Sequence, residues 1–226
     1  MNCLILIADP DEYAPFIAQL EHLGVTSSRL RVFPCSHFKY KGECTVVCTY
    51  IGKVNSAVAC CAALSSQDYD AVISLGYSGA VTGLMKGDYA AGKTYTECDF
   101  DLTPIGYAPG EKIKGEPFVH PADSRLLQAA LTIPGIKTAS FGTGDFFLTD
   151  KALRDRYKQQ FGIGAFDMET GAIANVCSMF GVPFVAVRKI SDNADDAASS
   201  EYGNIIAKRE KAFSDILTSL LDALSI

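Results

Sequence analysis

A single α/β domain with a largely parallel, helix-covered sheet is the fold class this sequence predicts, and two observations predict it. Apolar runs of strand length alternate with segments of helical periodicity along the whole chain. Several of those runs are apolar throughout, as strands buried on both faces require. At 226 residues and 48% hydrophobic, the chain can fill one large core, so one domain over residues 1–226 is expected.

The elements follow in order. A strand at 3–8 leads into a helix at 12–23, followed by strands at 30–34 and 44–50. A helix at 53–66 precedes a strand at 71–76, after which residues 76–80 (Gly-Tyr-Ser-Gly-Ala) read as a turn. A strand at 88–95 gives way to a long loop at 103–121, carrying Pro104, Gly106, Pro109, Gly110, Gly115 and Pro117. Loops of that length in compact domains are often functional or flexible. A helix at 121–131 and a strand at 138–142 come next, then a helix at 150–161 that Asp150 can cap. The last elements are a strand at 165–168, a helix at 169–180, a strand at 183–190 and a helix at 202–224. Gly181 can take the left-handed cap conformation and Pro183 stops the helix before it.

Composition excludes several classes of function. The net charge is −6 and no block of Lys and Arg exceeds a pair, which argues against nucleic acid and anionic membranes as partners. With 20% charged residues and positive mean hydropathy, the chain is not a disordered one. The N-terminus lacks a basic region and turns acidic at Asp9, so it reads as a strand and not a signal peptide. No run approaches the roughly 20 apolar residues that span a bilayer, and a cytoplasmic location is expected. Eight cysteines form no C-x-x-C pair, and His22, His37 and His120 stand apart. Buried reduced thiols are expected, with no metal site.

Chemistry concentrates in residues 166–195. Met168-Glu169 opens a helix and Arg188-x-x-x-Asp192 ends the next strand, an order that brings two acids to one edge of the sheet. Buried charges are costly unless paired, which points to a pocket for a polar small molecule. The glycine segment 76–80 lacks the Lys-Ser/Thr of a phosphate loop, and Ala80 breaks the G-x-S-x-G pattern. No histidine is placed to serve Ser78 as a base, so the segment is expected to hug a ligand and not to carry a nucleophile. Singly, each residue has a plainer reading. Glu12 suits a helix start, Asp192 a turn cap, Met168 and Phe146 a core, and Arg188 a structural ion pair. Their joint order is what no single plain reading covers.

Four segments carry a family resemblance: Glu12 after the first strand; residues 76–80 with Gly87-Asp88 beyond; Thr143-Gly144-Asp145-Phe146-Phe147; and Met168-Glu169 with Arg188-x-x-x-Asp192. Over essentially the whole chain, the sequence resembles the 5′-methylthioadenosine/S-adenosylhomocysteine nucleosidases of the purine nucleoside phosphorylase superfamily. The resemblance implies a single three-layer domain, a twisted mixed β-sheet covered by helices in the nucleoside phosphorylase manner. It also implies a homodimer that acts without a cofactor on a small purine nucleoside. The implied reaction is hydrolysis of the N-ribosidic bond of 5′-thio-substituted adenine nucleosides, releasing adenine. By position, Asp192 resembles the acid that protonates adenine N7, and Glu12 the carboxylate that activates water. Glu169 and Met168 resemble the ribose acceptor and its platform, and Arg188 the residue orienting Glu12 and the water. Phe147 resembles the residue stacked on the base, with Leu148 offering backbone hydrogen bonds to its edge. Tyr202, Ile51 and Leu102 resemble residues lining the 5′ side, while Ile105 and Ile113 would reach across from the dimer partner.

The chemistry explains why such residues are needed. Adenine leaves poorly as an anion, so an acid must hold its proton near neutrality, far above the free aspartate value of about 3.9. A second carboxylate then activates water on the opposite face of the sugar, as in an inverting glycosidase. The segment Ala8-Asp9-Pro10-Asp11-Glu12 is similar to a Gly-Asp-Pro-x-Arg phosphate loop, but Glu12 takes the arginine position and two more acids flank it. Water suits that site better than a phosphate dianion does. Two departures from the family pattern bear on substrate: Tyr77 stands where a small hydroxyl residue is usual, and Asp9 where an apolar one is. Three alternatives stay open on the residues: a purine nucleoside phosphorylase, a nucleosidase for another 5′-modified purine nucleoside, and a non-catalytic nucleoside-binding relative.

Overall fold

The structure is a computed structural model that describes residues 1–116, 118–207 and 213–224. Its strands are β1 Asn2–Ile7, β2 Thr26–Leu30, β3 Phe33–Lys39, β4 Glu43–Cys48, β5 Ala71–Ala80, β6 Tyr89–Glu97, β7 Val119–Pro121, β8 Ile136–Thr143, β9 Ala165–Asp167 and β10 Phe184–Asp192. Its helices are α1 Pro10–Gln19, α2 Lys53–Leu64, α3 Ser124–Leu131, α4 Lys151–Phe161, α5 Thr170–Phe180, α6 Ala198–Ala207 and α7 Ser214–Leu224.

Side-chain alternation along β1 shows how the sheet is covered. Leu4 and Leu6 face a cluster with Ala59, Cys60 and Ala63 of α2 and Ile173 and Cys177 of α5. Cys3, Ile5 and Ile7 face the opposite cluster, with Phe16 of α1, Leu126 of α3 and Leu217 of α7. Each fully buried Leu or Ile contributes about 1.5–3 kcal/mol, so neither face can be left to water. A helix-covered α/β sheet is what the apolar runs call for. Parallelism is only partial: β1 pairs in parallel with β4 and β5, whereas β5–β9 and β6–β10 run antiparallel.

The pairings go beyond stacked layers. β5 pairs with β10, β10 with β6, β6 with β8, β8 with β9, and β9 returns to β5, closing a five-strand ring beside the open β5-β1-β4-β3-β2 arm. The three-residue β9 makes the closure, with Gly79 opposite Phe166 and Ala80 opposite Ala165. Sequence periodicity reports which residues are buried, not which strand lies beside which, so the ring was not foreseeable from it.

Other elements differ from expectation for local reasons. The strand expected at 30–34 is a hairpin of β2 and β3, turning at Arg31, whose φ of 57° is left-handed. The turn expected at 76–80 is strand: β5 runs on to Ala80 because β10 pairs with it from Val72 to Gly79. The loop at 103–121 holds a 3-10 turn at Thr103–Ile105 and ends in β7, which pairs with β6. α3 begins at Ser124, where Asp123 accepts Leu126 N at 3.0 Å as N-cap. Of the helix expected at 202–224, residues 208–212 lie outside the described residues; α6 starts earlier, at Ala198, and α7 completes it. The cysteines are free thiols, Cys61 exposed and the other seven buried. Among the described residues no helix is long and apolar enough to cross a membrane.

Candidate active site

A change of partner on one edge of β5 creates the site. β1 pairs with β5 from Ala71 to Leu75, and β9 takes over at Gly79. Between them the edge at Gly76, Tyr77 and Ser78 is left open, and a cavity of about 760 Å³, open solvent at its mouth included, fills the gap. The two glycines have a steric reason. A Cβ at Gly76 would lie 3.0 Å from Glu12 Oε2, and one at Gly79 would lie 2.7 Å from Asp192 Oδ1. Glycine therefore serves here to admit two carboxylates to the strand, not to make a turn.

Glu12 arrives from α1. Asp9 caps that helix, accepting Asp11 N at 2.8 Å, and Pro10 occupies the first turn, which fixes Glu12 one turn from the end of β1. Desolvation, then the Asp9 carboxylate, hold Glu12 well above the usual carboxylate range, with Glu169 adding to the shift and Arg188 opposing it. Glu169 begins α5 and accepts Gly52 N at 3.0 Å from the start of α2. Burial, followed by the charge of Asp167, pushes it up to about 7.

Asp192 ends β10 beyond a register shift between Ile190 and Asp192 that re-aims the strand end. It is 2% exposed. Ser191 Oγ donates to its Oδ2 at 2.6 Å and Ala194 N to its Oδ1 at 2.8 Å. Ala194 holds a left-handed φ of 48° to present that N–H, a strained conformation for a residue with a Cβ. Burial raises the Asp192 pKa despite both hydrogen bonds, which favour the charged form.

Asp167, not among the expected site residues, anchors the arrangement. Its Oδ2 accepts Arg188 Nε at 3.2 Å, and its Oδ1 accepts Thr143 Oγ1 at 2.8 Å and Thr170 N at 3.1 Å. Arg188 Nη2 also donates to Ser74 Oγ at 3.1 Å, so the guanidinium beside Gly76 is held from two sides. An acid three residues before a helical N–H was the available signal, and it was legible. Lys53, at the start of α2, pairs with Asp99 at 2.6 Å and gives its N–H to Asp145 at 2.7 Å. That ties the α2 start to the 144–147 loop.

The cavity is lined by Asp9, Glu12, Ile51, Tyr77, Phe147, Leu148, Met168, Glu169, Arg188, Asp192 and Tyr202, all expected from sequence. Gly76, Ser78 and Gly79 line it as the ligand-hugging segment 76–80 led one to expect, and Phe146, Phe166, Ser191 and Ala194 line it without having been expected. Leu102, Ile105 and Ile113 are not among its lining residues, and Ile105 and Ile113 are exposed. Tyr77 borders the cavity, and its ring packs edge-on against Phe213 at 5.5 Å and Tyr202 at 6.2 Å. Among the described residues no group of three or more His, Cys, Asp or Glu could hold a metal ion.

Residues 2–222 match the family model described as the phosphorylase superfamily. The chain is 35% identical over 183 residues to the 5′-methylthioadenosine/S-adenosylhomocysteine nucleosidase of Anoxybacillus flavithermus, covering 77% of this chain and 78% of that protein. A Helicobacter pylori MTAN mutant with 5′-methylthioadenosine in its active site superposes with a TM-score of 0.90 at 25% identity, over 98% of each chain. The futalosine hydrolase of Helicobacter pylori also superposes with a TM-score of 0.90 at 25% identity, over 98% of this chain and 97% of that one. The chain belongs to the 5′-methylthioadenosine/S-adenosylhomocysteine nucleosidase family of the phosphorylase superfamily.

Proposed function

We propose that the protein hydrolyses the N-ribosidic bond of methylthioadenosine and S-adenosylhomocysteine, releasing adenine. The observation that carries this reading is the opening of Asp192 and Glu12 into one cavity, each against its own glycine of β5. Gly76 and Gly79 are three residues apart on a strand, a separation on the order of 10 Å at about 3.3 Å per residue. That spacing leaves room for a sugar and a water between two carboxyl groups, as an inverting displacement needs.

The base lies against Phe147, Phe166 and Leu148, with Asp192 at its N7. Asp192 gives up its proton as the bond from C1′ to N9 breaks, and the bonding electrons leave with the neutral base. Glu12 takes a proton from the water that attacks C1′ from the other face. Glu169 accepts hydrogen bonds from the ribose hydroxyls, and Arg188 steadies Glu12 from its fixed position between Asp167 and Ser74. Met168 supports the ribose. Water adds across the bond, and proton exchange resets both acids.

Phosphorolysis is disfavoured by charge. Asp9, Glu12 and Glu169 crowd the sugar end of the cavity, and its basic lining residue, Arg188, is already engaged by Asp167. The protein acts as a homodimer in this reading. Val54 and Val58 on α2, and Met179 and Phe180 on α5, leave an exposed apolar face on two adjacent helices. Ile105 and Ile113 then act across the dimer. Incubation with adenine nucleosides, with and without phosphate, tests the reaction: adenine and free 5-methylthioribose form at the same rate in both. Product that forms only with phosphate replaces the hydrolase by a phosphorylase.

A further inference from the structure

The sugar end of the cavity holds a polar pair, Asp9 and Tyr202, that borders Glu12 but exchanges no proton with the reacting bond. Tyr202 Oη donates to Asp9 Oδ2 at 3.0 Å, while Asp9 Oδ1 stays on the α1 cap through Asp11 N at 2.8 Å. The phenol ring sits edge-on to Phe147 at 5.6 Å and to Tyr77 at 6.2 Å, so aromatic contacts and a hydrogen bond from a different element position it. Asp9 and Tyr202 both line the cavity, next to Glu12. Desolvation, then the Glu12 and Asp9 carboxylates, push the Tyr202 phenol far above its ordinary range, so its proton stays in place.

Donor and acceptor bookkeeping decides what such a pair can bind. A tyrosine hydroxyl has one proton, and here it is turned to carboxylates, Asp9 at 3.0 Å with Glu12 also in hydrogen-bonding reach. What remains to face a ligand is acceptors: phenolic lone pairs and carboxylate lone pairs, carrying negative charge. Acceptors complement a donor. A thioether methyl offers them nothing, and an anion is repelled by Asp9, Glu12 and Glu169 together.

We infer that the Asp9/Tyr202 pair reads the 5′ substituent of the nucleoside, favouring one that carries a hydrogen-bond donor, an ammonium above all, over a bare thioether, and rejecting 5′ anions. The inference rests on the nucleosidase reading, which places the base at Asp192 and the ribose at Glu12 and Glu169, and so turns the 5′ carbon towards Asp9. A site built to bond a polar group can discriminate by 10⁴ or more against an analogue that lacks it. Asp9 and Tyr202 already satisfy each other in part, so the expected preference is smaller, roughly 10- to 100-fold.

Three nucleosides test it: 5′-amino-5′-deoxyadenosine, 5′-methylthioadenosine and adenosine 5′-monophosphate. The wild type should show a kcat/KM for the amino compound at least about tenfold above that for the methylthio compound, with no measurable turnover of the monophosphate. Asp9→Asn keeps a capping side chain and removes the charge, and should lower the amino-to-methylthio ratio about tenfold, mainly through KM for the amino compound. Tyr202→Phe keeps the ring and removes the hydroxyl, and should lower the ratio several-fold; it decides the matter if Asp9→Asn fails to fold. A ratio unchanged in Tyr202→Phe and in any folded Asp9→Asn, a wild type that prefers the methylthio compound, or ready turnover of the monophosphate overturns the inference while leaving the nucleosidase reading intact. No adenine from any nucleoside overturns both.

Discussion

The two ends of the cavity raise the pKa of their acids by different physics. At one end Asp192 is walled by Phe166, Phe147 and Ala194, and burial outweighs two hydrogen bonds that favour its ionised form, with Glu201 and Asp195 adding a smaller like-charge push. At the other end Glu12, Asp9 and Glu169 crowd one another, so like charge adds to burial and Arg188 opposes both. The raised pKa of Asp192 favours the protonated form that can give a proton away. The crowded Glu12 is raised the more strongly, which makes it a stronger base towards water, and Arg188 is what favours its ionised form. Two residue types that look alike in the sequence thereby acquire opposite roles.

Removing either acid breaks the comparison outright and carries the largest effects. Asp192→Asn should lower kcat about 10⁴-fold and Glu12→Gln about 10³-fold, with nucleoside affinity by calorimetry changed by less than about tenfold in each. Near-wild-type turnover in either variant would remove that residue from the mechanism.

A subtler pair of changes compares how firmly the two carboxylates are held. Gly79→Ala places a Cβ 2.7 Å from Asp192 Oδ1 and 3.1 Å from the Ala194 Cβ. Asp192 is fixed by Ala194 N and Ser191 Oγ and cannot yield without losing them, so kcat should fall about 100-fold. Gly76→Ala meets Glu12 Oε2 at 3.0 Å, the end of a longer side chain, and should cost about tenfold. Equal losses at both positions would mean that the two acids are equally constrained.

The smallest effect is on stability. The folded-state pKa of Glu169 is about 7, against 4.5 for the free group, so the folded protein binds more protons between those values. Its contribution is present below pH 4.5 and is lost as pH rises through about 7. Glu169→Gln should remove that loss, so the Tm difference between variant and wild type should grow by a few degrees from pH 4.5 to 7. A difference independent of pH would mean that Glu169 is ionised throughout. In activity, turnover should fall at low pH as Glu12 is protonated and at high pH as Asp192 loses its proton.

Much of this site was legible in order but not in contact. Eleven expected residues line the cavity; most were placed by the family resemblance, while residue type and periodicity pointed only to acids at a helix start and a strand end. Asp167 was undervalued because its partners, Arg188, Thr143 and Thr170, come from three separate elements. Leu102, expected on the 5′ side, falls outside this cavity, as do Ile105 and Ile113, whose proposed use depends on a second copy of the chain. The segment 76–80 was mistaken for a turn because glycine in a strand has two causes, and only the positions of Glu12 and Asp192 separate them.

A helix-covered α/β domain and the helix caps at Asp150 and Gly181 follow from composition, periodicity and local hydrogen bonding, and the family resemblance of the motifs named the acids. Tertiary structure alone decided the closure of β5, β10, β6, β8 and β9 into a ring, and with it the change of partner that opens the edge of β5. It also decided which charges surround each acid. Proton affinity depends on the desolvation and charge around a group, and those are set by residues far apart in the chain.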